Sequence, residues 1–157
     1  MKKIRKALIS VYDKKNLKPL LNSLKKNKVE IISSGGTYKE IRKLGFTCTE
    51  VSDYTRSAEI LGGRVKTLHP KIHAGILNKR NNKSHNRDLI RNNYENIDLV
   101  IVNFYPFEET LNNTSNHRKI IENIDIGGPT MVRDAEKNYD DVTVITSSSQ
   151  YEELINE

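Results

Sequence analysis

The chain has 157 residues, a length that fits one domain with a substantial buried core. Its 26 Lys and Arg against 20 Asp and Glu give a formal net charge of +6, but the cations are dispersed among carboxylates. With no RNA-recognition signature, zinc-knuckle spacing or aromatic stacking series beside them, this charge does not read as a nucleic-acid surface. No run approaches the ~20 apolar residues that span a bilayer, and the basic start at residues 1–6 is followed by an apolar run too short for a secretory segment. No membrane partner is expected. The single cysteine excludes an internal disulfide, and a cytoplasmic location is the default expectation.

In chain order, residues 4–12 read as a strand ending at Asp13. Leu17, Leu20, Leu21 and Leu24 recur on one face of a helix over residues 15–27, whose basic end suits a solvated C-terminus. Residues 29–33 form a short buried strand, residues 38–44 a short helix closed by Gly45, and residues 46–51 a third strand holding Cys48 as a buried thiol. Residues 52–80 are less regular, with a helical turn at 57–61 and a helix start at Pro70. A helix at 85–93 precedes Leu99-Val100-Ile101-Val102, which is apolar throughout and therefore central in a parallel sheet. Helices at 117–123 and 128–138, a fifth strand at 142–146 and a last helix capped by residues 147–149 complete the chain. Strands alternating with helices predict an α/β layered domain with a mostly parallel central sheet, with neither repeat nor linker.

Ligands of open α/β sheets sit beyond the carboxyl ends of the strands. Five unusual segments fall there, at residues 10–14, 33–37, 64–69, 103–107 and 125–137, and their convergence is the structural expectation. Ser33-Ser34-Gly35-Gly36-Thr37 offers hydroxyls and helix N-terminal amides to an anion, although a plain turn capped by Thr37 fits the same residues. Asp13 suits either a helix cap or a ligand contact. Arg64 and Lys66 alternate about Val65; in an extended segment they share one side, where repulsion favours a neutral amine suited to proton transfer. A solvated basic loop is the alternative. His69 and His73 have the spacing of helical metal ligands, but no third ligand is near, so no metal is expected. Tyr105 is placed either to donate to a developing oxyanion or to pack under the Pro106 turn. Asp125-Ile126-Gly127-Gly128 reads as a strand-to-helix junction with exposed amides, and Arg133 and Lys137 share a helical face that is equally compatible with an ordinary charged surface.

The Gly-Gly-Thr turn, Leu61-Gly62-Gly63-Arg64-Val65-Lys66-Thr67-Leu68-His69-Pro70 with His73-Ala74-Gly75, Tyr105-Pro106-Phe107 and Ile124-Asp125-Ile126-Gly127-Gly128 occur in one order over residues 5–150. Together they resemble the IMP cyclohydrolase domain of the bifunctional purine biosynthesis family, whose other half is an AICAR formyltransferase. The resemblance implies a methylglyoxal-synthase-like fold. It also implies closure of FAICAR, a formylated aminoimidazole carboxamide ribonucleotide, to IMP with loss of water, the last step of de novo purine biosynthesis. No cofactor is implied, and the partners implied are the nucleotide substrate and a second copy in a homodimer.

The same resemblance puts Ser34, Gly35, Gly36 and Thr37 at the 5′-phosphate and Tyr12, Asp13 and Lys14 against the nucleotide, although the family often has Ser where Tyr12 stands. Arg64, Val65, Lys66 and Thr67 border the base and reacting groups, with Val102, Asn103, Asp125 and Ile126 nearby. Among the implied catalytic residues, Lys137 is the proton shuttle, Lys66 polarises the formyl oxygen, Tyr105 donates a hydrogen bond and Asp125 orients the carboxamide. The formyltransferase half is absent from the 157 residues, so folate binding is not carried over and the chain is either a fragment of a bifunctional enzyme or a stand-alone cyclohydrolase. Two other classes remain. A methylglyoxal synthase would rely on aspartates in glycine-rich contexts that the sequence lacks, and a nucleotide-sensing module would not need the lysines and Tyr105.

Overall fold

The computed structural model describes residues 3–157; the first two residues of the basic start lie outside them. Strands β1 (Lys6–Val11), β2 (Glu30–Ser33), β3 (Thr49–Glu50), β4 (Leu99–Asn103) and β5 (Thr143–Ile145) form one parallel sheet in the order β3-β2-β1-β4-β5. The register sets Ile9 opposite both Ser33 and Ile101, and Val11 opposite Asn103. Strands β1 and β4 are therefore interior, as an uninterrupted apolar run requires of a parallel sheet covered on both faces.

Alternate residues of β1 feed two separate cores. Ala7, Ile9 and Val11 pack with Leu17, Leu20, Leu21 and Leu24 of α1 (Leu17–Lys26), Ile41 of α2 (Gly35–Lys43) and Tyr151 of α9 (Tyr151–Asn156). Leu8 packs on the other face, with Val51 and Tyr54 of α3 (Val51–Thr55), Ile72 and Ile76 of α4 (Pro70–Leu77), and Met131 and Ala135 of α8 (Gly127–Lys137). Burial decides the form of α1. Its N-cap, Asn16, is left-handed at φ 56° and makes no side-chain capping bond, but burying each of its four leucines contributes about 2 kcal/mol. The outer helices are α5 (Lys83–Asn92), α6 (Phe107–Asn113) and α7 (His117–Glu122).

Several boundaries differ from the sequence expectation, each for a local reason. Helix α2 starts at Gly35, three residues earlier than its apolar pattern, because the glycines of the turn form its first coil. The third strand is only two residues long: the Glu50 carboxylate accepts from the Ser52 N–H at 2.6 Å and starts α3 at Val51. Asp13 accepts from the Lys15 N–H at 3.0 Å and closes a turn without capping α1. The helical turn expected at 57–61 lies at Leu61–Gly63, as a 3₁₀ turn. Ser147 and Gln150 form a capping box that leads into α9.

Candidate active site

The carboxyl ends of β1, β2 and β4 open into a cavity of about 630 Å³, within the usual range for a small-molecule site. It is lined by thirteen of the residues singled out in the sequence: Tyr12, Lys14, Ser34, Gly35, Gly36, Thr37, Arg64, Lys66, Thr67, Asn103, Tyr105, Asp125 and Ile126. The five strand-end segments thus meet in one place.

One wall is the N-terminus of α2. The first amides of a helix lack intrahelical partners and carry partial positive charge. Ser34, the N-cap, makes no side-chain capping bond. Two ammonium groups flank the glycines: a Cβ on Gly35 would lie 3.4 Å from Lys66 Nζ, and one on Gly36 would lie 3.9 Å from Lys14 Nζ. Lys14 also donates to the Tyr12 carbonyl at 3.0 Å, which keeps it over the turn. Helix dipole, free amides and two cations make this wall a built anion cradle.

Two hydroxyls expected in that cradle are committed elsewhere. Ser33 is fully buried and donates to the Ile9 carbonyl at 2.7 Å. Thr37 Oγ1 donates to the Val11 carbonyl at 2.8 Å and accepts from the Val11 N–H at 3.0 Å. These residues fasten the cradle to β1, leaving Ser34 and the backbone amides to face the cavity.

The opposite wall is the turn at residues 61–68. Leu61, Gly62 and Gly63 all have positive φ (53°, 63° and 92°), and Arg64 is in the helical region, so Arg64 and Lys66 do not share an extended segment. Each cation has its own carboxylate. Arg64 pairs with Glu122 of α7, and Lys66 Nζ lies 2.9 Å from Glu59 Oε2. The expected repulsion between them is thereby compensated. Val65 turns away from the large cavity and lines a second one of about 260 Å³, which Lys66 shares.

Asn103 ends β4 but serves the neighbouring loop: its Oδ1 accepts from the N–H groups of Tyr12 (2.5 Å) and Asp13 (3.0 Å), and its Nδ2 donates to the Asp13 carbonyl at 2.9 Å. Tyr12 and Tyr105 form an edge-on aromatic pair with centroids 5.4 Å apart at the cavity rim. Asp125 Oδ1 accepts from the Gly128 N–H at 2.9 Å, which fixes the carboxylate at the start of α8. Thr67 Oγ1 would lie only 2.5 Å from a Cβ on Gly127, so a glycine there lets the start of α8 close against the 61–68 turn.

Four expected site residues stand elsewhere. Asp13 is held in its own turn, Val65 lines the smaller cavity, and Val102 is 1% exposed within the core. Lys137 is exposed at the last position of α8, about 15 Å along the helix axis from its glycines. His69 caps α4 by accepting from the Lys71 N–H at 3.1 Å, and His73 pairs with Asp134. Glu59 and Glu122, the partners of the two cations, do not stand out in the sequence from other carboxylates. For Glu122 the 58-residue separation from Arg64 leaves no local signal.

The sequence pattern of the MGS-like domain matches residues 16–130. The chain is similar to the bifunctional purine biosynthesis protein PurH of Prochlorococcus marinus (strain AS9601), at 51% identity over 152 residues, and to that of Synechococcus sp. (strain CC9902), at 52% over 151. These alignments cover 96% and 95% of the chain but 29% of each relative, so the chain spans under a third of the length of these curated relatives. The crystal structure of ForH superposes with a TM-score of 0.83 at 30% identity, over 98% of this chain and 78% of that one. With that match and the family pattern over most of its length, the chain belongs to the MGS-like domain family.

Proposed function

We propose that the chain closes the imidazole carboxamide of FAICAR into the purine ring of IMP. The observation that carries this reading is the meeting of an anion cradle with Lys66, Tyr105 and Asp125 around one cavity. The likeness to PurH supplies the substrate class.

The 5′-phosphate lies against the amides of α2 beside Lys14. The carboxamide nitrogen attacks the formyl carbon and gives up one proton, the formamido N–H gives up a second as the ring C=N bond forms, and the formyl oxygen takes up both and leaves as water. Both reacting groups belong to one molecule, so the protein's part is orientation, proton transfer and stabilisation of the oxygen that becomes negative. The Lys66 ammonium polarises the formyl oxygen, and Tyr105 donates a hydrogen bond to it. Asp125, with one oxygen held by Gly128, uses the other to orient the carboxamide N–H. Lys137, far from the cavity, is left out of this set; proton exchange runs through Lys66, Tyr105 and solvent. In reverse the same groups hydrolyse a cyclic amidine, which places the enzyme among the hydrolases.

The test is incubation of the purified chain with FAICAR in buffer free of metal and folate, with IMP followed chromatographically. IMP formation is the expected result. A folded chain that binds IMP but produces none from FAICAR would overturn the reading.

A further inference from the structure

Lys66 stands where the two cavities meet. Its side chain is a flexible four-carbon stem ending in a compact charge. Beside an anion cradle, such a group is drawn to the phosphate, the densest negative charge of a nucleotide, and away from the oxygen it must polarise. The structure supplies a competing anion. Glu59 Oε2 lies 2.9 Å from Lys66 Nζ on the side of the smaller cavity. The backbone is shaped around this pair: at Gly63, with φ 92°, a Cβ would fall 2.6 Å from Glu59 Oε1 and 3.3 Å from Lys66 Cε.

We propose that Glu59 is a positioning residue for the ring closure, its carboxylate holding the Lys66 ammonium at the edge of the phosphate cradle and aimed at the reacting end of the substrate. The proposal rests on the ring-closing reading above. Stability does not account for the pair: the Glu59 side chain is 46% exposed, and an ion pair so open to water adds little to the fold. Glu59 also sits in a stretch between α3 and the 3₁₀ turn with no regular structure of its own, where no ladder or helix fixes its place.

Glu59→Gln removes the charge and keeps the shape. Three quantities are read for the variant and the unaltered chain: FAICAR turnover, IMP affinity by titration calorimetry, and the unfolding midpoint. The expected result is a kcat lower by about tenfold to a hundredfold, the scale set by ångström misplacement of a reacting group. IMP binding stays equal or becomes a few-fold tighter, because a negative charge near the phosphate is gone, and the unfolding midpoint is unchanged. An unchanged kcat overturns the proposal. So does a parallel fall of kcat, IMP affinity and unfolding midpoint, which is the signature of a merely structural role. If the unaltered chain makes no IMP, the ring-closing reading itself fails and takes the role of Glu59 with it. Turnover by the unaltered chain with an insensitive Glu59→Gln variant sinks only the positioning role.

Discussion

Thr37 and Val11 exchange two hydrogen bonds through a single hydroxyl, which donates to the Val11 carbonyl and accepts from its N–H. Thr37→Val keeps the volume and leaves both backbone groups buried without that partner. The expected cost is about 1–3 kcal/mol of stability, the usual penalty for an orphaned buried polar group. A urea unfolding curve measures it. Nucleotide affinity of the folded fraction should change little, whereas Ser34→Ala, which leaves stability alone, should weaken nucleotide binding.

Lys14 should act on affinity more than on rate. Its ammonium lies over the Gly36 end of the cradle, held there by the Tyr12 carbonyl, and no role in the chemistry is assigned to it. Lys14→Ala is expected to raise the IMP dissociation constant about tenfold, at the low end for a charged hydrogen bond because the group is partly solvated. Turnover at saturating FAICAR should stay within about threefold of the unaltered chain on the same argument. A large loss of kcat with unchanged binding would contradict the placement.

The two lysines implied as catalytic by resemblance stand in different surroundings, and a direct comparison separates them. Lys66→Ala is expected to lower FAICAR turnover by roughly 10²–10⁴, the usual worth of general acid–base help. Lys137→Ala, at the exposed end of α8, should cost less than about tenfold on the same scale. An equal loss for both would contradict the placement of Lys137 outside the catalytic set.

Alkali should limit the fold before acid does so through these groups. Burial pushes the Cys48 thiol up from its ordinary 9.0 to about 12, and the Tyr54 and Tyr151 phenols up from 10.0 to about 12. For Lys6, burial pulls downward, but hydrogen bonds to Glu95 and Glu30 outweigh it and the ammonium is held above 10.5. All four keep their protons in the folded chain at pH values where the unfolded chain releases them. Their stabilisation is therefore full below about pH 9 and lost progressively towards about pH 12. Urea midpoints should fall steadily over that window, and Cys48→Ala should flatten its first part.

How much of this could be read in the sequence depends on whether the signal was local. The apolar run at residues 99–102 and the leucine stripe of α1 are periodic patterns, and both elements stand where the patterns put them. The site segments were legible because glycines and cations interrupt such patterns at strand ends. Helix α6 was not, because Phe107 and Leu111 remain exposed and no buried stripe marks it. Nor does composition reveal what a polar side chain bonds to. Thr37 and Asn103 both read as ligand contacts, yet each spends its hydrogen bonds on the backbone of the loop after β1 or on β1 itself. The separate carboxylate partners of Arg64 and Lys66 likewise emerge only when distant segments fold together.

The Asn103 amide bears on how the site moves. Val11 and Asn103 form the last rung between β1 and β4, and the side chain of Asn103 then carries the ladder round to Tyr12 and Asp13 by three further bonds. The loop after β1 is in this way an extension of the central sheet and belongs to its cooperative unit. It cannot lift as an independent flap without loosening the two innermost strands. A movement that narrows the cavity is therefore expected at the 61–68 turn and α7, and the Tyr12 and Asp13 amides, held by Asn103, should exchange with water more slowly than those of α7.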